Sequence, residues 1–113
     1  MQIQQQMIDT TTVVALQGDF DAAAAPEVEK RLLALAQSNQ PRLVVDMNSV
    51  PYIASAGLRV LLAAVKTARA GGGDLRLVGL QPAVKHVFDM AGFALLFKTF
   101  ASVNDAVASF RQT

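Results

Sequence analysis

At 113 residues the chain can bury one substantial core, and 52% hydrophobic against 17% charged residues places it among globular rather than disordered proteins. A formal net charge of +1, with basic and acidic residues interspersed, leaves no electrostatic footprint for nucleic acid. The absence of cysteine excludes disulfides, zinc fingers and thiol catalysis, and no apolar run approaches the ~18 residues of a membrane span. Met1 to Gln6 offers neither a basic n-region nor an apolar h-region, so the expectation is a soluble cytoplasmic protein with one domain over residues 1–113.

Ile3 to Ile8 is a weak strand candidate and Thr12 to Gln17, carrying Val13, Val14 and Leu16, a better one; Asp9-Thr10 supplies the turn between them. Gly18-Asp19 ends the second strand. Pro26 suits the first turn of a helix whose Val28, Leu32 and Leu35 form a stripe, with Glu27, Glu29, Lys30 and Arg31 facing water. Gln40-Pro41 stops it, and a strand follows over 42–47. A second helix begins at Ser55, because Leu58, Leu61, Leu62 and Val65 recur at i, i+3, i+4 and i+7 while Arg59, Lys66 and Arg69 occupy the other face. Gly71-Gly-Gly73 closes it. Leu75 to Val78 reads as a short strand. Pro82 opens a third helix with Val84, Val87, Phe88 and Ala91 on one face and Gly92 at its end. Leu96 to Phe100 is the last predicted strand. Ser102 caps a final helix striped by Val103, Ala106, Val107 and Phe110, with Asp105 at the capping-box position. Strand and helix alternating after an initial strand pair predict an α/β domain with a mixed, mainly parallel sheet of about five strands and about four helices.

Ser55 is the candidate of most interest. The spacing places it at the N-cap, where its hydroxyl accepts a backbone N–H and faces the positive end of the helix dipole. Phosphate at that hydroxyl would be favoured by the helix end and within reach of Arg59, one turn on. Asp19 and Asp21 lie between a strand and a helix, where aspartates form turns and supply N-terminal charge; Asp46 ends a strand and caps the turn that follows. His86, the sole histidine, falls on the polar side of its helix. Phe88 and Met90 are expected in the core. Gly71-Gly-Gly73 follows a helix rather than opening one, so it is no phosphate-cradling loop. No catalytic triad or metal-ligand cluster can be assembled, and neither an enzyme nor a cofactor is expected.

Tyr52-Ile-Ala-Ser-Ala-Gly-Leu58 resembles the signature of STAS domains of anti-sigma factor antagonists, in which an aromatic-apolar pair precedes Asp, a phosphorylatable Ser, a small residue and Gly-Leu. Gly18-Asp-Phe-Asp21 is similar to that family's Gly-acidic-apolar-Asp turn, and Pro82 to Gly92 to its third helix. The resemblance implies a phosphoacceptor at Ser55 and a partner surface formed by Asp19, Asp21, Tyr52, Ala54, Ser55, Gly57, Leu58 and Arg59. The implied partner is an anti-sigma factor that is itself an ATP-using serine kinase of the histidine-kinase-like (GHKL) ATPase fold. Binding is implied for the unphosphorylated form, release on phosphorylation of Ser55, and restoration by a serine phosphatase. Asp21 is implied to lie near the phosphoacceptor and to contribute to kinase docking or to phosphorylation. Ala54 departs from the pattern, because the family usually carries Asp there. The alternative is a STAS subunit of a membrane transport system that binds an ABC ATPase without a phosphorylation cycle.

Overall fold

A computed structural model describes residues 1–111. Its elements are β1 (Gln2–Ile8), β2 (Thr11–Gln17), α1 (Ala25–Ala36), β3 (Arg42–Ser49), α2 (Ser55–Ala70), β4 (Asp74–Val78), α3 (Pro82–Met90), β5 (Thr99–Phe100) and α4 (Val103–Phe110). The predicted elements and their order are borne out.

The five strands lie side by side in chain order. β1 and β2 form an antiparallel hairpin closed by Asp9-Thr10, with Asp9 at φ +56°, a left-handed conformation that Asp tolerates. β2, β3, β4 and β5 then run parallel, each pair joined over a helix. Side-chain alternation splits the core in two. Val14, Leu16, Leu43, Val45, Leu75 and Leu77 face α1, α2 and α3; Val13, Val44 and Val78 face α4 through Ala106, Val107 and Phe110. β4 is buried along its whole length because helices cover both its faces.

That burial has a polar consequence. Arg76 is 3% exposed and points to the α4 side, where its Nε donates to Asp74 (3.0 Å), its Nη1 to Ser109 Oγ (2.7 Å), and its guanidinium lies 3.9 Å from the centre of the Phe110 ring. Arg69 holds the other oxygen of Asp74 at 2.8 Å and donates to the Leu96 carbonyl.

α2 packs on the sheet and along α1, so its apolar face is wider than the sequence stripe. Leu58, Leu61 and Val65 are buried as expected and Leu62 is half-buried; Gly57, Val60, Ala64 and Ala68 are buried as well. Ser102 accepts the Asp105 N–H at 3.1 Å, the predicted cap of α4.

Three expectations need correction. The last strand is Thr99–Phe100 rather than 96–100, because residues 94–97 form a turn that carries Phe97 inward, edge-on to Phe88 at 5.6 Å. Met90 is 75% exposed, since it lies on the opposite side of α3 from Val84 and Phe88. Ala91 falls at the C-cap and is exposed, while Gly92 follows at φ +76° and ends the helix as expected.

Candidate functional site

Parallel strands place the segments that follow β2 and β3 at one end of the sheet, and here the two segments are joined. The Gly18 N–H donates to the Ser49 carbonyl (3.0 Å), the Phe20 N–H to the Tyr52 carbonyl (2.9 Å) and the Ala54 N–H to the Phe20 carbonyl (3.0 Å). Phe20 and Ile53 form a parallel bridge, and both side chains are buried. The effect is a short continuation of the sheet beyond the ends of β2 and β3. It holds the turn that carries Asp21 against the residues that lead into α2.

Gly57 permits this approach. A Cβ there would stand 2.7 Å from the Phe20 carbonyl oxygen and 2.9 Å from Ile53 Cγ1, nearer than packed carbon atoms come. Gly18 turns the chain at φ +115°, a conformation that side chains rarely adopt. The Asp21 carboxylate accepts the Ala24 N–H at 3.0 Å, bracing the turn that leads into α1. Asp46 behaves as the sequence suggested, accepting from the Asn48 backbone N–H (3.0 Å) and side-chain amide (2.8 Å).

The expectation that Ser55 is the N-cap is corrected. Ala54 is the N-cap, extended at φ −94° and ψ 169°, and its carbonyl takes the Leu58 N–H (3.1 Å). Ser55 is the first helical residue, exposed, and its hydroxyl makes no hydrogen bond among the described residues. The register is set by the Ala54–Phe20 bond rather than by a serine cap. α2, at 16 residues, therefore begins with no side-chain cap and no acidic residue in its first turn. Its early N–H groups and the positive end of its dipole stay open to an anion.

The remaining candidates divide by exposure. Asp19 and Arg59 are exposed, Tyr52 is 52% exposed, and Ala54 and Asp21 are half-buried. Leu58 is 6% exposed and belongs to the core, and Gly57 is buried under the Phe20 turn. These two thus shape the surface from beneath rather than presenting side chains to it. Sequence reasoning missed Phe20, Asn48, Gly79 and Gln81. Gln81 Nε2 donates to the Asn48 carbonyl (2.8 Å), and Gly79, at φ +68°, leaves room for the Asn48 side chain, which a Cβ would meet at 2.2 Å. The lone apolar residue of Gly18-Asp-Phe-Asp21 was the one available signal for Phe20. Among the described residues no group of three or more His, Asp or Glu could hold a metal ion.

The STAS domain model matches residues 2–106. Over 111 residues the chain is 36% identical to BtrV of Bordetella bronchiseptica, a protein named as an anti-sigma factor antagonist, covering 98% of this chain and 96% of that one. The chain belongs to the STAS-domain anti-sigma factor antagonist family. The anti-sigma-B factor antagonist of Bacillus subtilis is 30% identical over 79 residues, covering 70% of this chain and 72% of the relative. The crystal structure of an anti-sigma factor antagonist from Mycobacterium paratuberculosis superimposes with a TM-score of 0.87 at 25% identity, over 97% of this chain and 93% of that one. The family is one of regulatory binding proteins, not a known enzyme family. No helix of the described STAS domain is long and apolar enough to cross a membrane.

Proposed function

We propose that this STAS domain is a phosphorylation-controlled antagonist of an anti-sigma factor in the cytoplasm. Unphosphorylated, it binds the anti-sigma factor and so frees sigma; the anti-sigma factor, an ATP-using serine kinase of the GHKL fold, phosphorylates Ser55 and releases itself. A serine phosphatase resets the cycle. The docking surface is the Gly18–Ala22 turn, the loop over 52–55 and the exposed side of the first turns of α2, with Asp19, Asp21, Tyr52 and Arg59 supplying contacts and Ala54, Gly57 and Leu58 its shape.

The observation that carries this reading is the exposed Ser55 hydroxyl at the first position of an uncapped helix, beside the Asp21 turn. A phosphate adds about −1.5 to −2 charges. At this position the open N–H groups of α2 and the Arg59 guanidinium accommodate them, so the domain stays folded. A partner docked over the same surface meets a dianion that it must desolvate, and the complex weakens. The braced turn offers little freedom to move, so the switch acts through charge at a fixed surface.

Intact-mass measurement and site mapping with the kinase and ATP test the proposal. Ser55 is expected to carry the phosphate, Ser55→Ala to bind constitutively, and Ser55→Glu to fold but bind weakly, carrying only about half the charge. Ala54→Asp, which restores the family pattern, is expected to raise the phosphorylation rate and leave the unphosphorylated complex intact. Phosphate on Ser49, Ser102 or a threonine with Ser55 unmodified refutes the assignment, and co-purification of an ABC ATPase without phosphorylation favours the transport-subunit alternative.

A further inference from the structure

The two edges of the sheet are treated differently. β5 is two residues long and follows Lys98, the short, charged kind of edge that resists pairing. β1 is seven residues, Gln-Ile-Gln-Gln-Gln-Met-Ile, with no charge and no proline; the register shift in the sheet lies between β2 and β3, not here. On its outer side β1 pairs with no strand among the described residues. Met7, near its end, is 61% exposed. α1 packs against α2 and β3, and in the row of β1 on that side Gln5 and Met7 are exposed while Ile3 is half-buried.

The hairpin register fixes which groups face outward. Ile8 pairs with Thr11 across the two-residue turn, so Ile8 bonds inward to β2. Alternation then turns Gln6, Gln4 and Gln2 inward and leaves the N–H and C=O groups of Ile3, Gln5 and Met7 on the free edge.

We propose that β1 is a homodimerisation edge: a second copy of this chain pairs with it antiparallel about a two-fold axis at Gln5, perpendicular to the sheet. The strand is self-complementary in that register. Gln5 lies opposite Gln5 of the second copy and Ile3 opposite Met7, so the three outward-facing residues exchange about six backbone hydrogen bonds. Ile3, half-buried, covers the exposed Met7 of the other copy, and no like charges meet. On the α4 side Gln4 lies opposite Gln6, within side-chain reach. These residues line a groove of about 460 Å³ with Ala15, Asp46 and Val103, which the pairing makes continuous across the axis. A partner of different sequence would have to match an uncharged edge that already matches itself. Because the pairing is antiparallel, the Ser55 ends of the two copies point in opposite directions.

Sedimentation of the full chain from micromolar to near-millimolar concentration tests this, with amide hydrogen exchange alongside. The expected result is a concentration-dependent dimer in which Ile3, Gln5 and Met7 amides gain protection on association, while those of Gln4 and Gln6 are protected throughout. Gln5→Pro, which removes an outward N–H, abolishes the dimer. Gln5→Lys, which places two charges face to face, weakens it about fivefold, and mixing Gln5→Lys with Gln5→Glu restores it, since only a two-fold through residue 5 puts those side chains opposite each other. Circular dichroism identifies any variant that has not folded, and the charge-swap mixture decides the matter if Gln5→Pro is one. A monomer at every concentration, or a dimer that the position-5 charges leave unchanged, overturns the proposal.

Discussion

Ala54→Asp should stabilise the domain, because the N-cap of α2 is vacant as a side-chain position. Ala54 has the extended backbone of a cap residue and its carbonyl already receives the Leu58 N–H, yet no side chain accepts the N–H groups of Ala56 or Gly57. Replacing Ala by Asp at an N-cap contributes about 1 kcal/mol, and a carboxylate at the positive end of a helix adds about 0.3–1 kcal/mol. Half-burial of the site offsets part of the second contribution. The net expectation is a gain of about 1–1.5 kcal/mol, which raises the melting temperature by roughly 4–6 °C for a domain of this size. Urea titration should show a higher midpoint at unchanged slope. Ala54→Asn keeps the hydrogen bond without the charge; it should retain most of the gain, and the difference between the two variants should vanish in 1 M salt. An Ala54→Asp protein no more stable than the parent would show that the start of α2 is not as described.

Gly57→Ala should destabilise by about 1–3 kcal/mol, since its methyl meets the Phe20 carbonyl, and should weaken partner binding beyond what that loss explains; denaturant titration with calorimetry separates the two. Leu61→Ala should cost about 2–4 kcal/mol and Arg59→Ala under about 0.5 kcal/mol, because Leu61 is fully buried and Arg59 exposed; equal losses in urea would refute the assigned helix face. Ser55→Ala should change stability by under about 0.5 kcal/mol, as the hydroxyl caps nothing; a loss near 1 kcal/mol in the same titration would return it to the cap position. Asp74→Ala leaves the Arg76 guanidinium buried beside Phe110 without its carboxylate and should cost about 3 kcal/mol, read from the thermal midpoint.

The sheet and helices were legible in the sequence wherever a period was unmistakable. Val13, Val14 and Leu16 marked β2, and Leu58, Leu61 and Val65 marked the sheet-facing side of α2. Leu95-Leu96-Phe97 misled because a short apolar run does not say whether its residues alternate; here Leu95 is fully exposed and Phe97 inserts against Phe88. Ser55 was placed one residue early because serine chemistry suggests a cap, whereas the position of the first turn is set by a long-range bond from Ala54 to Phe20. The same distance in sequence hid the role of Phe20, the close approach that makes Gly57 necessary, and the Asn48–Gly79 contact: each exists only because residues at and beyond the ends of different strands meet at one end of the sheet.

Strand order equal to chain order has a bearing on how the polypeptide acquires its structure. Every new strand joins the edge laid down just before it, so a chain emerging from the ribosome can extend its sheet continuously, with the β1–β2 hairpin as a local start. Nothing early has to wait for something late, except under α4. That helix packs on β2, β3, β4 and β5, and cannot dock until the whole sheet is present. Until then Val13, Val44 and Val78 have no cover, and the nascent domain presents an apolar face that only its last helix closes.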